Sequence, residues 1–305
     1  MVDSAGGIHT NGARVRRLTP GMRRMLLVAS GLVFLAGVPL FIGTEQTDRY
    51  FAWTVLPPMT AAFLGASYWA SCVLELSAAR QEIWARARVA VPAVLIFTTL
   101  TLVVTLVHFD RFHISSPEPW ARLVTWGWLA IYAGVPVMLG LLLVRQLREA
   151  GSDPPRTAPI PIGLRWLFAG HAAILLLAGA ALLLDPSTAS WLWPWKLTAL
   201  TARAVGAWLI GLGVAALHAT WEGDFDRVRI GFLTYVAMGA LQLLALARYP
   251  SAVQWARPVA WIYVGFVLSI LGLGLVGLLL AIRGNVPPWA VVTEVDPFTP
   301  SAPSS

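Results

Sequence analysis

Long uncharged apolar stretches alternate along the chain with short segments that hold nearly all of its charge. Eight stretches stand out, near 25–43, 51–74, 89–107, 124–144, 164–184, 197–219, 230–247 and 257–282. A helix needs roughly 20 mostly apolar residues to cross the hydrocarbon core of a bilayer. Several of the stretches contain Pro or Gly, which helices in lipid tolerate better than helices in water. Pro57-Pro58 predicts a kink or a late start for the second helix, and Pro136 predicts a bend in the fourth. The pattern predicts an all-α fold, a polytopic transmembrane helix bundle of eight spans.

Composition agrees. The 305 residues are 57% hydrophobic and only 12% charged, against about a quarter charged in soluble domains. The net charge of +7 does not point to nucleic acid, because the basic residues punctuate the apolar runs as membrane topology requires. With the N-terminus on the cytoplasmic side, fifteen basic residues fall inside, six outside and one, Arg203, within a span. The positive-inside rule therefore predicts cytoplasmic termini. The first apolar stretch follows a basic leader (Arg14, Arg16, Arg17, Arg23, Arg24) but has no small-residue cleavage site after Gly43, so a retained helix is expected. Basic residues that are all Arg except Lys196, together with abundant Ala, fit a high-GC bacterial genome. The single cysteine, Cys72, excludes an intramolecular disulfide and any multi-cysteine metal site.

Shifting the chain against itself by 141 positions aligns residues that chance rarely matches in apolar sequence. Pro20 meets Pro161, Arg24 meets Arg165, and Thr60-Ala61 meets Thr201-Ala202. Gly65-Ala66 meets Gly206-Ala207, Arg86 and Arg88 meet Arg227 and Arg229, and Trp120 meets Trp261. The predicted organisation is thus two tandem four-helix repeats in parallel orientation. A basic segment, 1–22, precedes the first repeat, 23–148. A linker, 149–163, joins it to the second, 164–283, and a Pro-rich disordered tail covers 284–305. Parallel repeats occur in transporters, with sites near the interface between the halves. Small residues every fourth position, Ala62, Ala66 and Ala70 in the second span and Ala207, Gly211, Ala215 and Ala219 in the sixth, predict close helix packing at the centre.

Candidate chemistry lies where the halves differ. Arg203, whose counterpart is Ala62, sits roughly 9 Å inside the sixth span at ~1.5 Å per residue. Mid-bilayer an Arg costs about 2.5–3.5 kcal/mol to insert. It either snorkels and pairs with Asp185, or faces an external cavity and holds an anionic group. The run Trp191-Leu192-Trp193-Pro194-Trp195 just precedes it. Most tryptophans fit an interfacial belt, but this run is denser than a belt needs, and its aromatic faces beside a cation could grip a lipid, quinone or glycan from the outer leaflet. His171 is a weak candidate for cofactor binding or proton transfer. Bis-His haem with His218 is disfavoured by the mismatch in depth, and no cofactor is predicted. His108, Asp110 and His113 form a weak metal candidate that Arg111 opposes. No Walker loop, dinucleotide fingerprint, zinc-protease helix or nucleophile elbow is present, and no nucleic-acid module.

Two segments, Phe51-Ala52-Trp53-Thr54-Val55-Leu56-Pro57-Pro58 running on to Ala66 and Trp193-Pro194-Trp195 followed by Leu197 to Trp208, resemble recurring motifs of uncharacterised multi-span membrane proteins of high-GC bacteria. The resemblance implies membrane class and bacterial origin and transfers no activity; the expected location is the bacterial plasma membrane. Three functions remain open from sequence. The first is binding or transport of a small amphipathic or anionic ligand, or a lipid, at an outward crevice between the repeats. The second is a non-catalytic scaffold or assembly subunit, compatible with an oligomer. The third is a haem- or metal-containing membrane enzyme.

Overall fold

The computed structural model describes residues 9–10 and 13–283. The expected tail, 284–305, lies outside the described residues. Among the described residues eight helices are long and apolar enough to cross a membrane. They are α1 (Pro20–Phe41), α2 (Pro58–Ala79), α3 (Ala90–Val107), α4 (Pro119–Leu147), α5 (Ile162–Leu184), α6 (Ala199–Glu222), α7 (Phe225–Arg248) and α8 (Pro258–Arg283). Short helical turns join them, and His9–Thr10 pairs antiparallel with Ala13–Arg14.

The boundaries have local causes. Pro20, Pro58, Pro119 and Pro258 stand at helix starts, where the missing N–H costs nothing and the fixed φ suits the first turn. Pro57-Pro58 resolves as a late start: 51–57 is not part of α2, and Pro57 is extended at φ −72°, ψ 170°, as a residue before proline prefers. Thr198 caps α6 in a reciprocal arrangement with Thr201. Gly223, at φ +58°, ends α6 in the left-handed conformation that a residue without Cβ adopts freely. Asp224 then caps α7 by accepting from the Asp226 N–H. Helix α4 continues through Pro136.

Each helix lies against few neighbours. α1 packs on α2 and α5 on α6; α3 packs on α4 and α7 on α8; α2 is joined to α7, and α6 to α3. α2 and α6 are the most buried, with 72% and 61% of their apolar windows covered against 17–50% in the other six. Two glycines let backbones approach closely within the α1–α2 and α5–α6 pairs. A methyl group on Gly65 would meet the Phe41 backbone nitrogen at 2.5 Å, and one on Gly206 would meet the Gly179 carbonyl oxygen at 2.8 Å. The stripe on α6 serves a different neighbour from α5: Gly211 faces Phe97 of α3, with room for a methyl only to 3.0 Å from its Cβ.

The two ends of the bundle differ. At the arginine-rich end, residues 14–19 and the linker form a hydrogen-bonded layer. Arg16 N–H donates to Ser152 O, Ser152 N–H to Arg14 O and Leu18 N–H to Glu82 O, while the fully buried Gln146 amide spans Arg17 O and Thr19 N–H at 2.8 Å each. At the tryptophan-rich end, segment 51–57 folds in between α3 and α4. There Trp53 and Trp128 pack edge to face, with Phe112 tilted against both, and Trp128 Nε1 donates to Thr105 Oγ1 at 3.0 Å.

Gly65→Ala should lower unfolding stability by about 1–3 kcal/mol through overpacking against α1. Gly127→Ala, with nothing within 4 Å of its new methyl, should be neutral in the same detergent thermal-melt experiment.

Candidate functional site

At the tryptophan-rich end a crevice of about 510 Å³ opens between the two halves of the chain. One wall is Trp53, Thr54, His108, Asp110 and Arg111; the other is Thr198, Ala199 and Leu200, the first turn of α6. That turn brings the positive end of a 24-residue helix to the wall. Arg111 is well exposed and paired with the equally exposed Asp110 at 3.0 Å.

Arg203 stands behind His108. Its Nε donates to the Leu183 carbonyl at the C-terminal end of α5, 3.1 Å away, and its NH1 donates to His108 Nε2 at 2.9 Å. A guanidinium has no lone pair to offer, so His108 accepts through Nε2 and is neutral in this contact. Burial, then the Arg203 guanidinium, lower the His108 pKa from its ordinary 6.5, with Asp110 opposing. Arg203 therefore has two roles: it satisfies an orphan carbonyl at a helix end and orients the imidazole that lines the crevice.

The other sequence candidates are distributed. Asp185 is turned onto its own turn, accepting from Ser187 Oγ and from Thr188 N–H at 3.2 Å. Those bonds hold its carboxyl at about 2, and no contact joins it to Arg203. Trp191 is exposed, and its carbonyl accepts from Arg257. Trp195 is buried, with Nε1 on Thr60 Oγ1 at 3.0 Å. Trp193 packs against Phe63 and Tyr263 and lines a second, apolar cavity of about 240 Å³ between α5 and α8. Trp193 thus lines a different cavity from the one lined by His108, the partner of Arg203.

His171 Nε2 lies 2.9 Å from Ser269 Oγ, which itself donates to Phe266 O, so the imidazole is the donor. His218 Nε2 faces the Glu222 carboxylate at 3.4 Å, at the arginine-rich end. His108 and His113 face different partners: His113 bridges Thr54 Oγ1 and Phe51 O, 3.0 Å from each. Among the described residues no group of three or more His, Cys, Asp or Glu is placed to hold a metal ion.

Sequence reasoning passes over Glu222. Its side chain is completely buried at the end of α6 and accepts from Arg88 Nε and from Arg227 NH1 at 2.9 Å, with Arg156 at 3.6 Å. Arg88 also reaches Asp153, and Arg86 pairs with Asp226 at 3.3 Å. The cluster ties the segment before α3, the linker and the α6–α7 corner into one clasp at the arginine-rich end. The Arg-x-Arg pairs were the visible signal; the acid that gathers them was not, because a glutamate beside a glycine reads as an ordinary helix end.

Compared with family models, with curated proteins and with solved structures, the chain matches none.

Glu222→Ala should destabilise the protein by about 3–5 kcal/mol, because it strands buried guanidinium groups. Asp110→Ala, removing an exposed pair, should cost no more than about 1 kcal/mol. Thermal melts of both variants decide. The lowered His108 pKa also sets a pH dependence. The unfolded chain takes up this proton as pH falls through 6.5 while the folded chain resists it. Stability is thus lost on acidification until the folded pKa is reached, and His108→Gln should flatten this part of the curve of melting temperature against pH.

Proposed function

We propose that the protein binds a small amphipathic anion in the crevice at the tryptophan-rich end and serves in its transport across a bacterial plasma membrane. The carrying observation is the crevice itself, walled by both halves and backed by the arginine that stands within a span. Its size falls in the ~300–1,000 Å³ range of small-molecule sites. Arg111 and the first turn of α6 supply positive potential, while Trp53 and Leu200 supply apolar wall. The charge bias of the loops supports placing this end outside and the clasp around Glu222 in the cytoplasm. The resemblance of the Phe51–Ala66 and Trp193–Trp208 segments to membrane proteins of high-GC bacteria supports the bacterial assignment.

The same reading includes two tandem four-helix repeats related by an axis along the membrane normal. Several contacts support it. Each helix pairing in one half has a counterpart 141 positions on, including the crossed pairs α2 with α7 and α6 with α3. Arg88 on Glu222 corresponds to Arg229 on Gln81, whose Oε1 lies 3.3 Å from NH2. The carbonyls of Ile42 and Leu183 also correspond, and each receives a guanidinium, Arg248 in one case and Arg203 in the other. A protein whose halves meet around an open crevice at one end and a charged clasp at the other has the layout that rocking transporters use.

The test uses decanoate and decanol as matched probes, binding to nanodiscs that contain the protein in excess over empty nanodiscs. Saturable binding of decanoate alone is expected. Arg111→Gln should weaken it about tenfold, ~1.4 kcal/mol, and Asp110→Asn should tighten it. Equal binding of acid and alcohol, or indifference to both substitutions, would sink the proposal.

A further inference from the structure

Glu75 is the one acidic side chain buried within the span of α2, with 1% of its surface exposed. It lies four residues from the helix end at Ala79, roughly 6 Å at ~1.5 Å per residue. Ser71 Oγ donates to its Oε1 at 2.8 Å, and Oε2 has no hydrogen-bond partner among the described residues. No Arg, Lys or His among them comes within salt-bridge distance. The titratable groups that sense its charge are Cys72 and Tyr68 on its own helix and Tyr132 on α4. None of these is a cation. A carboxylate buried without a counter-charge is far costlier than the same group carrying a proton.

The surroundings offer a route for that proton. Beside Ser71 lies a cavity of about 20 Å³, the size of one water molecule, with an apolar wall into which Ser71 and Thr234 of α7 bring hydroxyl-bearing side chains. Toward the tryptophan-rich end, Tyr68 and Tyr132 share a hydroxyl–hydroxyl bond of 2.6 Å. The Tyr132 ring lies 4.3 Å from that of Trp128, which donates to Thr105. Thr98, Thr101, Thr105 and His108 follow one another at spacings of three, four and three on one face of α3, and His108 lines the crevice. The first half of the chain thus carries a series of polar side chains between the crevice and Glu75. The positions 141 residues on from Tyr68, Ser71, Glu75 and Tyr132 hold Leu209, Leu212, Ala216 and Leu273, so the second half lacks these members of the series.

We infer that Glu75 is a proton-binding site within the membrane, taking up and releasing a proton by way of Ser71 and the small cavity beside it. The inference goes beyond the crevice reading and does not require the crevice to hold a ligand. A proton that binds here is the natural coupling ion for a protein that buries an acid, without a cation beside it among the described residues, on its most buried helix.

Infrared spectroscopy of the full chain in lipid tests it. At neutral pH, where exposed carboxyls are ionised, the spectrum should contain a carboxylic-acid carbonyl band that shifts in D₂O. The band should disappear reversibly as pH is raised and be absent from Glu75→Gln, which is nearly isosteric and keeps the Ser71 bond. Three outcomes overturn the inference: no acid band at neutral pH, a band that persists in Glu75→Gln, or a band unchanged at alkaline pH in protein that remains folded. Decanoate binding measured on the same Glu75→Gln sample separates this failure from failure of the crevice reading, since the substitution leaves every crevice residue in place.

Discussion

Inside a bilayer the hydrophobic effect does not hold helices together, because lipid is as apolar as leucine; close van der Waals contact and buried hydrogen bonds must do so instead. In this protein that requirement falls on a few positions where backbones touch. Gly65 of α2 lies against the Phe41 nitrogen, and Gly206 of α6 lies against Gly179. These contacts fix α1 on α2 and α5 on α6. The remaining surfaces of α2 and α6 are then free to receive α7 and α3, and the crossed packing joins the halves. The crevice exists because the first turn of α6 and the α3 terminus meet from opposite halves above this packed centre.

The second constraint is that every helix ends with carbonyls that nothing in the helix satisfies. In water the solvent completes them. Near a membrane the chain brings its own donors, and arginine is suited to the task because its planar fork carries several donors on a long stem. Arg248 reaches Phe41 and Ile42, Arg203 reaches Leu183, and Arg165 reaches Thr220. An arginine inside a span thus has a structural reason that is complete before any ligand is considered. It becomes relevant to a ligand through what else it holds, and here that is the imidazole of His108.

Much of the architecture was legible because its causes are local. Helix length follows from bilayer thickness, so all eight spans could be read from runs of apolar residues. The late start of α2 could be read from Pro57-Pro58, and the burial of α2 and α6 from their small residues. The site was less legible because it depends on which side chains meet. Nothing in sequence indicates that Arg203 and His108, 95 positions apart, are hydrogen-bonded, or that the Trp191–Trp195 run folds toward Phe63 and Tyr263 rather than toward Arg203. Glu75 illustrates the same limit. Five residues from Arg80, it reads as an interfacial charge that could snorkel, and only the packing of neighbouring helices closes that escape.

Two buried acids, Glu222 and Glu75, sit toward the same end of the bundle and solve burial in opposite ways. Glu222 gathers Arg88, Arg227 and Arg156 around a carboxylate that has several charged donors, an arrangement that fixes charge and resists rearrangement because removing any partner strands the rest. Among the described residues Glu75 has one neutral donor and no cation, an arrangement in which gaining or losing a proton changes the local charge outright. The first suits a clasp that keeps one end of the molecule closed, and the second suits a switch whose charge state acts on the helices around it. At offset 141 the clasp acid faces a glutamine, Gln81, and the switch acid an alanine, Ala216. Residues such as Arg88 and Arg229 match at that offset, and the two buried acids are among the groups that do not.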